Sequence, residues 1–93
     1  MVKIKDYTFE KNTPYVLRKD ATNRNWPVVY LLNNQDELYV GETISAMQRM
    51  KQHLENPDRQ RLDHLHIIYD EDFNKSATLD VESSLIALMG ADK

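Results

Sequence analysis

The sequence predicts an α+β domain, because strand-like and helix-like segments follow one another along a chain of 93 residues. Residues 27–32 form a short apolar, β-branched run that is typical of a buried strand. From about residue 44 the apolar residues recur at helical spacing instead. A second strand-like run at residues 65–69 and a second helical run at residues 76–89 complete the pattern. A chain of this length holds one domain.

Residues 1–25 are predicted to form an N-terminal extension, made of a strand and a short helix, that packs on the domain of residues 26–93. The strand character near the N-terminus is weak, because apolar and polar residues alternate imperfectly there. The pair Thr13-Pro14 marks the start of a short helix that continues to about Lys19. Residues 21–26 are predicted to be a polar connector.

Residues 27–32 are predicted to pair with residues 38–41 as a β-hairpin, since the segment between them is turn-like. A two-residue loop would place Tyr30 opposite Tyr39, and a four-residue loop would make them diagonal neighbours. In both cases the two rings share one face of the sheet, whereas an odd loop would separate them. Two facing tyrosines can be simple packing or part of a site, and the residues alone leave both open.

The first long helix is predicted to begin at a capping box, Ser45-x-x-Gln48, and to end at Asn56-Pro57. Its apolar stripe is formed by Met47, Met50 and Leu54. On the same helix Arg49 and His53 are four residues apart, so their side chains point the same way. These two residues form either a solvated polar face or one side of a functional site.

The last helix carries an acidic residue, Glu82, at the edge of its predicted apolar face, and Gly90 is a plausible C-terminal cap. An unpaired charge in that position is costly. Glu82 is therefore either a boundary residue that reaches water or a ligand for a hard cation. The apolar stripe beside it is formed by Ala77, Val81, Leu85 and Leu88.

Two other groups could hold a metal. His64 and His66 flank one residue on a predicted strand, and residues 70–72 are a run of three acids. Each has a simpler interpretation: the histidines need have no shared role, and the acidic run suits a solvated strand end.

The composition narrows the classes of function. The chain has no cysteine, which excludes disulfides and thiolate zinc sites, and no stretch of 18 apolar residues, so we expect a cytoplasmic protein with no membrane span. The net charge of −3 is unlike that of a strong non-specific DNA-binding protein. Residues 1–24 nevertheless hold six Lys/Arg against three Asp/Glu, and residues 25–93 hold six against twelve. Nucleic-acid binding would therefore depend on local patches and a metal ion.

An ordered set of residues resembles the GIY-YIG endonuclease superfamily over about residues 26–90. The set is Val28-Val29-Tyr30, then Tyr39-Val40-Gly41, then Arg49 and His53, then Glu82. The spacing carries the resemblance, since Arg49 follows Tyr39 by ten residues and His53 follows Arg49 by four. A narrower likeness, carried by residues 39–43 and 73–77, is to the module ahead of a helicase-like ATPase domain in some bacterial proteins.

The resemblance implies a small three-stranded antiparallel sheet flanked by helices, and a metal-dependent endonuclease that acts in DNA processing or repair. Glu82 would hold Mg²⁺ or Mn²⁺, and Arg49 would bind the phosphate. Tyr30 would be the base that activates water, Tyr39 would orient that water, and His53 would relay a proton. The expected nucleic-acid contacts are Arg49, Lys51, Arg59, Arg61 and Lys75.

The sequence departs from the family pattern at three places. Val28 stands where the family name has Gly, and Glu42 adds a carboxylate beside the site. Many members place an Asn or Gln after the helix that carries the glutamate, and residues 91–93 supply neither. We therefore expect the chain to be a fragment of a longer protein.

Two other functions stay open on the sequence. The same fold could be a non-catalytic adaptor that presents nucleic acid to an attached helicase-like ATPase. It could also be a protein-interaction module that uses the apolar face of the first helix.

Overall fold

A computed structural model describes residues 2–90 of the chain. The first residue of the predicted extension and residues 91–93 of the predicted domain lie outside this range. The elements follow in the order β1 (Lys3–Thr8), α1 (Thr13–Leu17), α2 (Ala21–Arg24), β2 (Val28–Asn33), β3 (Leu38–Thr43), α3 (Ala46–Glu55), a 3-10 turn (Pro57–Arg59), β4 (His64–Tyr69) and α4 (Lys75–Met89).

The α+β class is confirmed, but the sheet has four strands and the prediction of three is wrong. The four strands lie in the order β1-β4-β2-β3, and every neighbouring pair is antiparallel. The additional strand is β1, which pairs along its whole length with β4, from Lys3 opposite Tyr69 to Thr8 opposite His64. The pairing joins segments about sixty residues apart in the sequence, and most β1 side chains are exposed, so local apolar alternation could not reveal it.

The predicted polar connector also contains structure, because Ala21–Arg24 form one helical turn. Asp20 caps this turn, since its carboxylate accepts a hydrogen bond of 2.9 Å from the backbone N–H of Thr22. Lys5 of β1 reaches the same carboxylate at 3.2 Å. The N-terminal segment is thus tied to the sheet by both backbone pairing and side-chain contacts.

The main core lies on one face of the sheet, under α1 and α3. Its strand residues include Tyr30, Leu65 and Ile67, and α3 contributes Met50, all with no exposed surface. The prediction for α3 is confirmed at both ends. Ser45 accepts a hydrogen bond from the backbone N–H of Gln48 at the start, and Asn56 is the C-terminal cap.

Helix α4 packs against β2 and β3 on the other face. Lys75 at its start contacts Glu42 of β3, whereas Met89 at its end lies beside Leu31 and Leu38. Gly90 ends the helix with a φ of 64°, as predicted for a left-handed cap. The predicted apolar stripe is wrong at Leu88, which is 83% exposed, because the buried face of the helix is centred on Thr78 and Glu82 and Leu88 points away from it.

Candidate active site

The two motif tyrosines lie on the core face of the hairpin formed by β2 and β3. Tyr30 is opposite Gly41, and Leu32 is opposite Tyr39, so the tyrosines are diagonal neighbours. This register corresponds to the four-residue loop at residues 34–37. Their ring centroids are 6.2 Å apart with an interplanar angle of 29°. The prediction that both rings share one face is confirmed.

Gly41 is required by the position of the Tyr30 ring. A Cβ atom at residue 41 would lie 2.8 Å from Cε1 of Tyr30 and closer still to its Cζ and Oη atoms. The ring crosses the strand directly over this glycine, where no other residue leaves enough space. The glycine of the second motif is therefore needed to leave space for the Tyr30 ring in the candidate site.

Helix α3 places His53 against both rings. The Tyr30 Oη and His53 Nε2 atoms are 2.9 Å apart, and the imidazole lies edge-on to Tyr30 and Tyr39 at centroid distances of 5.5 and 5.1 Å. His53 is 8% exposed. Burial, followed by the charges of Arg59 and Arg49, lowers the pKa of His53 to about 4. The imidazole is therefore neutral at pH 7.

Burial has the opposite effect on the pKa of Tyr30, which has no exposed surface. Burial and the neighbouring Tyr39 raise this pKa well above its ordinary value, and the charge of Arg49 only partly opposes them. The role that the resemblance implied for Tyr30, a base that activates water, requires a lowered pKa. In the free domain the hydroxyl of Tyr30 is protonated and rests against a neutral imidazole.

Two arginines supply positive charge to this cluster. Arg49 lies on α3 and acts electrostatically on both Tyr30 and His53. Arg59 comes from the 3-10 turn, and its guanidinium carbon lies 4.2 Å from the centroid of the Tyr39 ring. Within residues 2–90 the Arg59 Nε atom is buried and has no hydrogen-bond partner. The sequence predicted Arg59 only as a nucleic-acid contact and missed its place beside Tyr39.

The place of Arg59 follows from the chain reversal after α3. Asn56 accepts a hydrogen bond of 3.0 Å from the backbone N–H of Asp58, and Pro57 starts the 3-10 turn. This turn folds back beside the end of α3, where His53 is. The Asn-Pro pair was visible in the sequence as the end of the helix, but the direction of the following turn was not.

Glu82 lies on α4 and is 4% exposed, so the interpretation as a boundary residue that reaches water is wrong. The helix approaches β3 from the face opposite the tyrosine rings. The structure thus gathers Tyr30, Tyr39, Arg49 and His53 on one face and buries Glu82 on the helix behind β3. We expect the carboxylate of Glu82 to point toward Arg49 and the tyrosines, as the role of a metal ligand requires.

The remaining cations do not form one patch with Arg49. Lys51 is two residues further along α3, which turns it about 200° around the helix axis, and it lines a groove beside α1. Arg61 pairs with Glu37 at 2.8 Å, and Lys75 contacts both carboxylate oxygens of Glu42 at 2.7 Å. Among these five cations only Arg49 and Arg59 therefore lie at the tyrosine cluster, and the assignment of all five as nucleic-acid contacts stays a prediction.

The donor set suits a hydrated hard cation rather than an enclosed metal cage. Within the described range no group of three or more His, Cys, Asp or Glu side chains could hold a metal ion. His66 contacts Asp6 instead at 2.6 Å. A Mg²⁺ ion commonly keeps several water molecules and needs only one or two carboxylates besides substrate phosphate. One buried carboxylate, that of Glu82, fits this requirement.

The sequence model of the GIY-YIG catalytic domain family matches residues 26–93. The chain belongs to this family. GIY-YIG domains are in general endonucleases, a class of hydrolases, and typically use divalent metal ions, so membership implies nuclease activity and nucleic-acid binding. Nothing in the comparisons supports the helicase-associated subtype.

No curated protein and no solved structure matches the chain. No helix within residues 2–90 is long and apolar enough to span a membrane. The family match covers residues 26–93, so β1, α1 and α2 lie outside the matched range.

Proposed function

We propose that this GIY-YIG domain is a Mg²⁺- or Mn²⁺-dependent endonuclease that hydrolyses DNA phosphodiester bonds. The observation that carries the proposal is the buried contact between Tyr30 and His53, with Arg49 and Arg59 beside it. If the tyrosines and the histidine served only to pack the core, two arginines beside their hydrogen-bonded side chains would not be needed. A bacterial pathway of DNA processing or repair, and an attached helicase-like ATPase domain, belong to the same proposal.

The two arginines bind the scissile phosphate. Guanidinium groups match phosphate oxygens in geometry and charge, and their hydrogen bonds to an anion are stronger than neutral ones. The Nε atom of Arg59 has an unused donor for this purpose.

The Tyr30–His53 pair accepts the proton of the attacking water. In the tautomer with the proton on Nδ1, the Tyr30 hydroxyl donates to the Nε2 atom of His53. Water transfers its proton to the Tyr30 oxygen as the hydroxyl proton of Tyr30 moves to Nε2. The resulting hydroxide attacks phosphorus, and the bond between phosphorus and the leaving oxygen breaks. The half-buried Tyr39 orients the water.

Glu82 would hold the divalent ion. When bound, such an ion supplies Lewis-acid stabilisation of the negative charge that develops on the leaving oxygen. The carboxylate is on α4, which packs behind β3, the edge strand that carries Tyr39 and Gly41, so the ion and the tyrosine pair would meet at that edge of the sheet. Because Glu82 is buried, the packing around it holds its side chain in one orientation. A carboxylate on the surface would not be held in this way.

Cleavage assays with the purified chain test this function. Branched, single-stranded and double-stranded DNA and the matching RNAs are incubated with Mg²⁺, with Mn²⁺ or with chelator. We expect cleavage of DNA only with metal. In Glu82→Gln the rate should fall by at least ~10²-fold, on the scale of losing one electrostatic stabiliser, while DNA binding stays unchanged.

The matched control is Glu71→Gln, the same chemical change at an exposed loop position, which should cleave like the wild type. Thermal unfolding of both variants checks that the fold survives. Equal cleavage by Glu82→Gln and wild type would show that the metal assignment is wrong.

A non-catalytic adaptor is the second candidate. It is favoured by the net charge of −3 and by the carboxylate partners of Arg61 and Lys75, which weaken the attraction of these residues to phosphate. An adaptor binds DNA weakly, and binding falls with salt. Binding without cleavage under every metal condition would identify this function.

A further inference from the structure

A groove of about 430 Å³ runs between α1 and α3 on the side of α3 away from the tyrosine cluster. We call it the α1–α3 groove. It is built by the added N-terminal segment together with the matched domain, since α1 precedes the family match. Its lining residues are Lys11, Pro14, Tyr15, Arg18, Met47, Lys51, Leu54 and Glu55.

The lining of the groove is positively charged although the chain as a whole has a net charge of −3. Three lining residues are cations, Lys11, Arg18 and Lys51, and among the described lining residues Glu55 alone is acidic. A fourth cation, Lys19, lies 5.8 Å from the ring centroid of Tyr15. A basic groove on an acidic protein is complementary to an anionic ligand.

The groove also presents an aromatic ring to solvent. Tyr15 is 60% exposed, and the guanidinium carbon of Arg18 lies 4.8 Å from its centroid. Proteins that bind single-stranded nucleic acid combine a positive groove with exposed aromatic side chains on which bases stack. The apolar floor, with Met47 and Leu54, offers no donors or acceptors that would select a base sequence.

We propose that the α1–α3 groove binds a single-stranded segment of nucleic acid, with phosphates on Arg18 and Lys51 and a base stacked on Tyr15. That the ligand is nucleic acid rests on the proposed function. That it binds at this place rests on the charge and the exposed aromatic ring of the α1–α3 groove. Arg49 and Lys51 face opposite sides of α3, whose diameter with side chains is about 10–12 Å. The groove therefore holds strand that flanks the cleavage site and makes no contact with the scissile phosphate.

Fluorescence anisotropy with a labelled 20-nucleotide single strand, a duplex of the same sequence and a poly-glutamate peptide tests the proposal. The measurements use Glu82→Gln as background, so that cleavage plays no part in the result. The variants are Tyr15→Ala, Tyr15→Phe and the double charge reversal Arg18→Glu with Lys51→Glu. The matched control is Lys3→Glu, an exposed cation on β1 away from the groove.

We expect Tyr15→Ala to weaken single-strand binding by about 5-fold to 150-fold, the range for loss of one stacked base, and Tyr15→Phe to bind nearly as well as the background. The double charge reversal should weaken binding at least ~10-fold. It should also flatten the slope of log affinity against log salt by about 1.4, since two phosphate contacts are lost. Lys3→Glu should have a much smaller effect.

Single-strand binding that is equal in all variants would overturn the proposal, and so would a preference for the peptide over nucleic acid. Absence of nucleic-acid binding in the background protein would overturn it as well. Failure of the endonuclease proposal would give a different result. A chain that cleaves no nucleic acid but binds single strands through Tyr15 would contradict the endonuclease proposal and support the binding role of the α1–α3 groove. Circular dichroism and thermal unfolding confirm that each exposed substitution leaves the fold intact.

Discussion

Gly41→Ala is the sharpest test of the tyrosine cluster. The new methyl carbon would lie 2.8 Å from Cε1 of Tyr30, with Cζ and Oη closer still, whereas ordinary contacts of this kind begin at 3.4 Å. The ring must therefore retreat by well over half an ångström. Tyr30 is fully buried and held by His53 and Tyr39, so it has no free volume into which to move.

The expected cost has two parts. Overpacking of a filled core costs about 1–3 kcal/mol, and loss of the hydrogen bond to His53 costs about 1 kcal/mol more. Together they lower the free energy of unfolding by about 2–4 kcal/mol. In a domain of this size that corresponds to a fall in melting temperature of roughly 10–25 °C. Cleavage by the folded fraction should also decrease, because the Tyr30 hydroxyl no longer meets the imidazole.

Urea unfolding followed by circular dichroism measures the stability, and a double-mutant cycle with Tyr30→Phe identifies the cause. Removing the Oη atom should cost less in the Gly41→Ala background than in the wild type, with a coupling of about 1 kcal/mol. Gly90→Ala is the control, because its left-handed φ of 64° should cost about 1 kcal/mol without changing cleavage. Wild-type stability and cleavage in Gly41→Ala would refute this account of the site.

Two further predictions concern His53. The unfolded chain binds a proton on this residue below about pH 6.5, whereas the folded domain does so only near its lowered pKa of about 4. Stability should therefore fall by about 2–4 kcal/mol as the pH drops from 7 to 4, through this residue alone. Urea unfolding across this range compares the wild type with His53→Gln. In Arg59→Ala the pKa of His53 should rise, because a nearby positive charge is lost, and NMR titration of the imidazole measures this change.

Control variants separate the effects of His53 and Arg59 from the titration of other groups and from the loss of any one arginine. Carboxylates also titrate below pH 5, so only the difference between the wild type and His53→Gln counts, and identical pH profiles would contradict the assignment. Arg61→Ala removes an arginine that pairs with Glu37 and should leave the pKa of His53 unchanged. An unmoved pKa in Arg59→Ala would show that Arg59 does not lie beside the imidazole in solution.

Local patterns predicted most of the matched domain correctly. The apolar run of β2 and the parity of the hairpin loop placed both tyrosines on one face. The capping serine of α3 and the Asn-Pro pair after it gave both ends of that helix. These features depend on residues within a few positions of one another, where backbone propensity and turn chemistry decide the structure.

The errors concern contacts between distant segments. The pairing of β1 with β4 depends on about sixty intervening residues, and the pairing of Arg61 with Glu37 depends on how two loops meet. The position of Arg59 over the Tyr39 ring depends on the direction of one turn. None of these has a periodic signal in the sequence. They also determine which cations already have carboxylate partners and which lie beside the tyrosine cluster.

In the free domain the Tyr30–His53 pair is a neutral phenol beside a neutral imidazole, which is the state from which the proposed proton relay starts. At ordinary pKa values, moving a proton from tyrosine to histidine costs about 5 kcal/mol, since the two differ by about 3.5 pKa units. Burial widens the gap from both sides, because it raises the pKa of Tyr30 and lowers that of His53. Both Arg59 and Arg49 oppose protonation of the imidazole, and Arg49 also favours the phenolate of Tyr30. In the proposed mechanism, a phosphate bound to Arg59 would offset one of the charges that oppose protonation of His53. Substrate binding should therefore change the pKa values of Tyr30 and His53, and cleavage should depend on that change. Mutations at Arg59 should alter the pH dependence of cleavage as well as its rate.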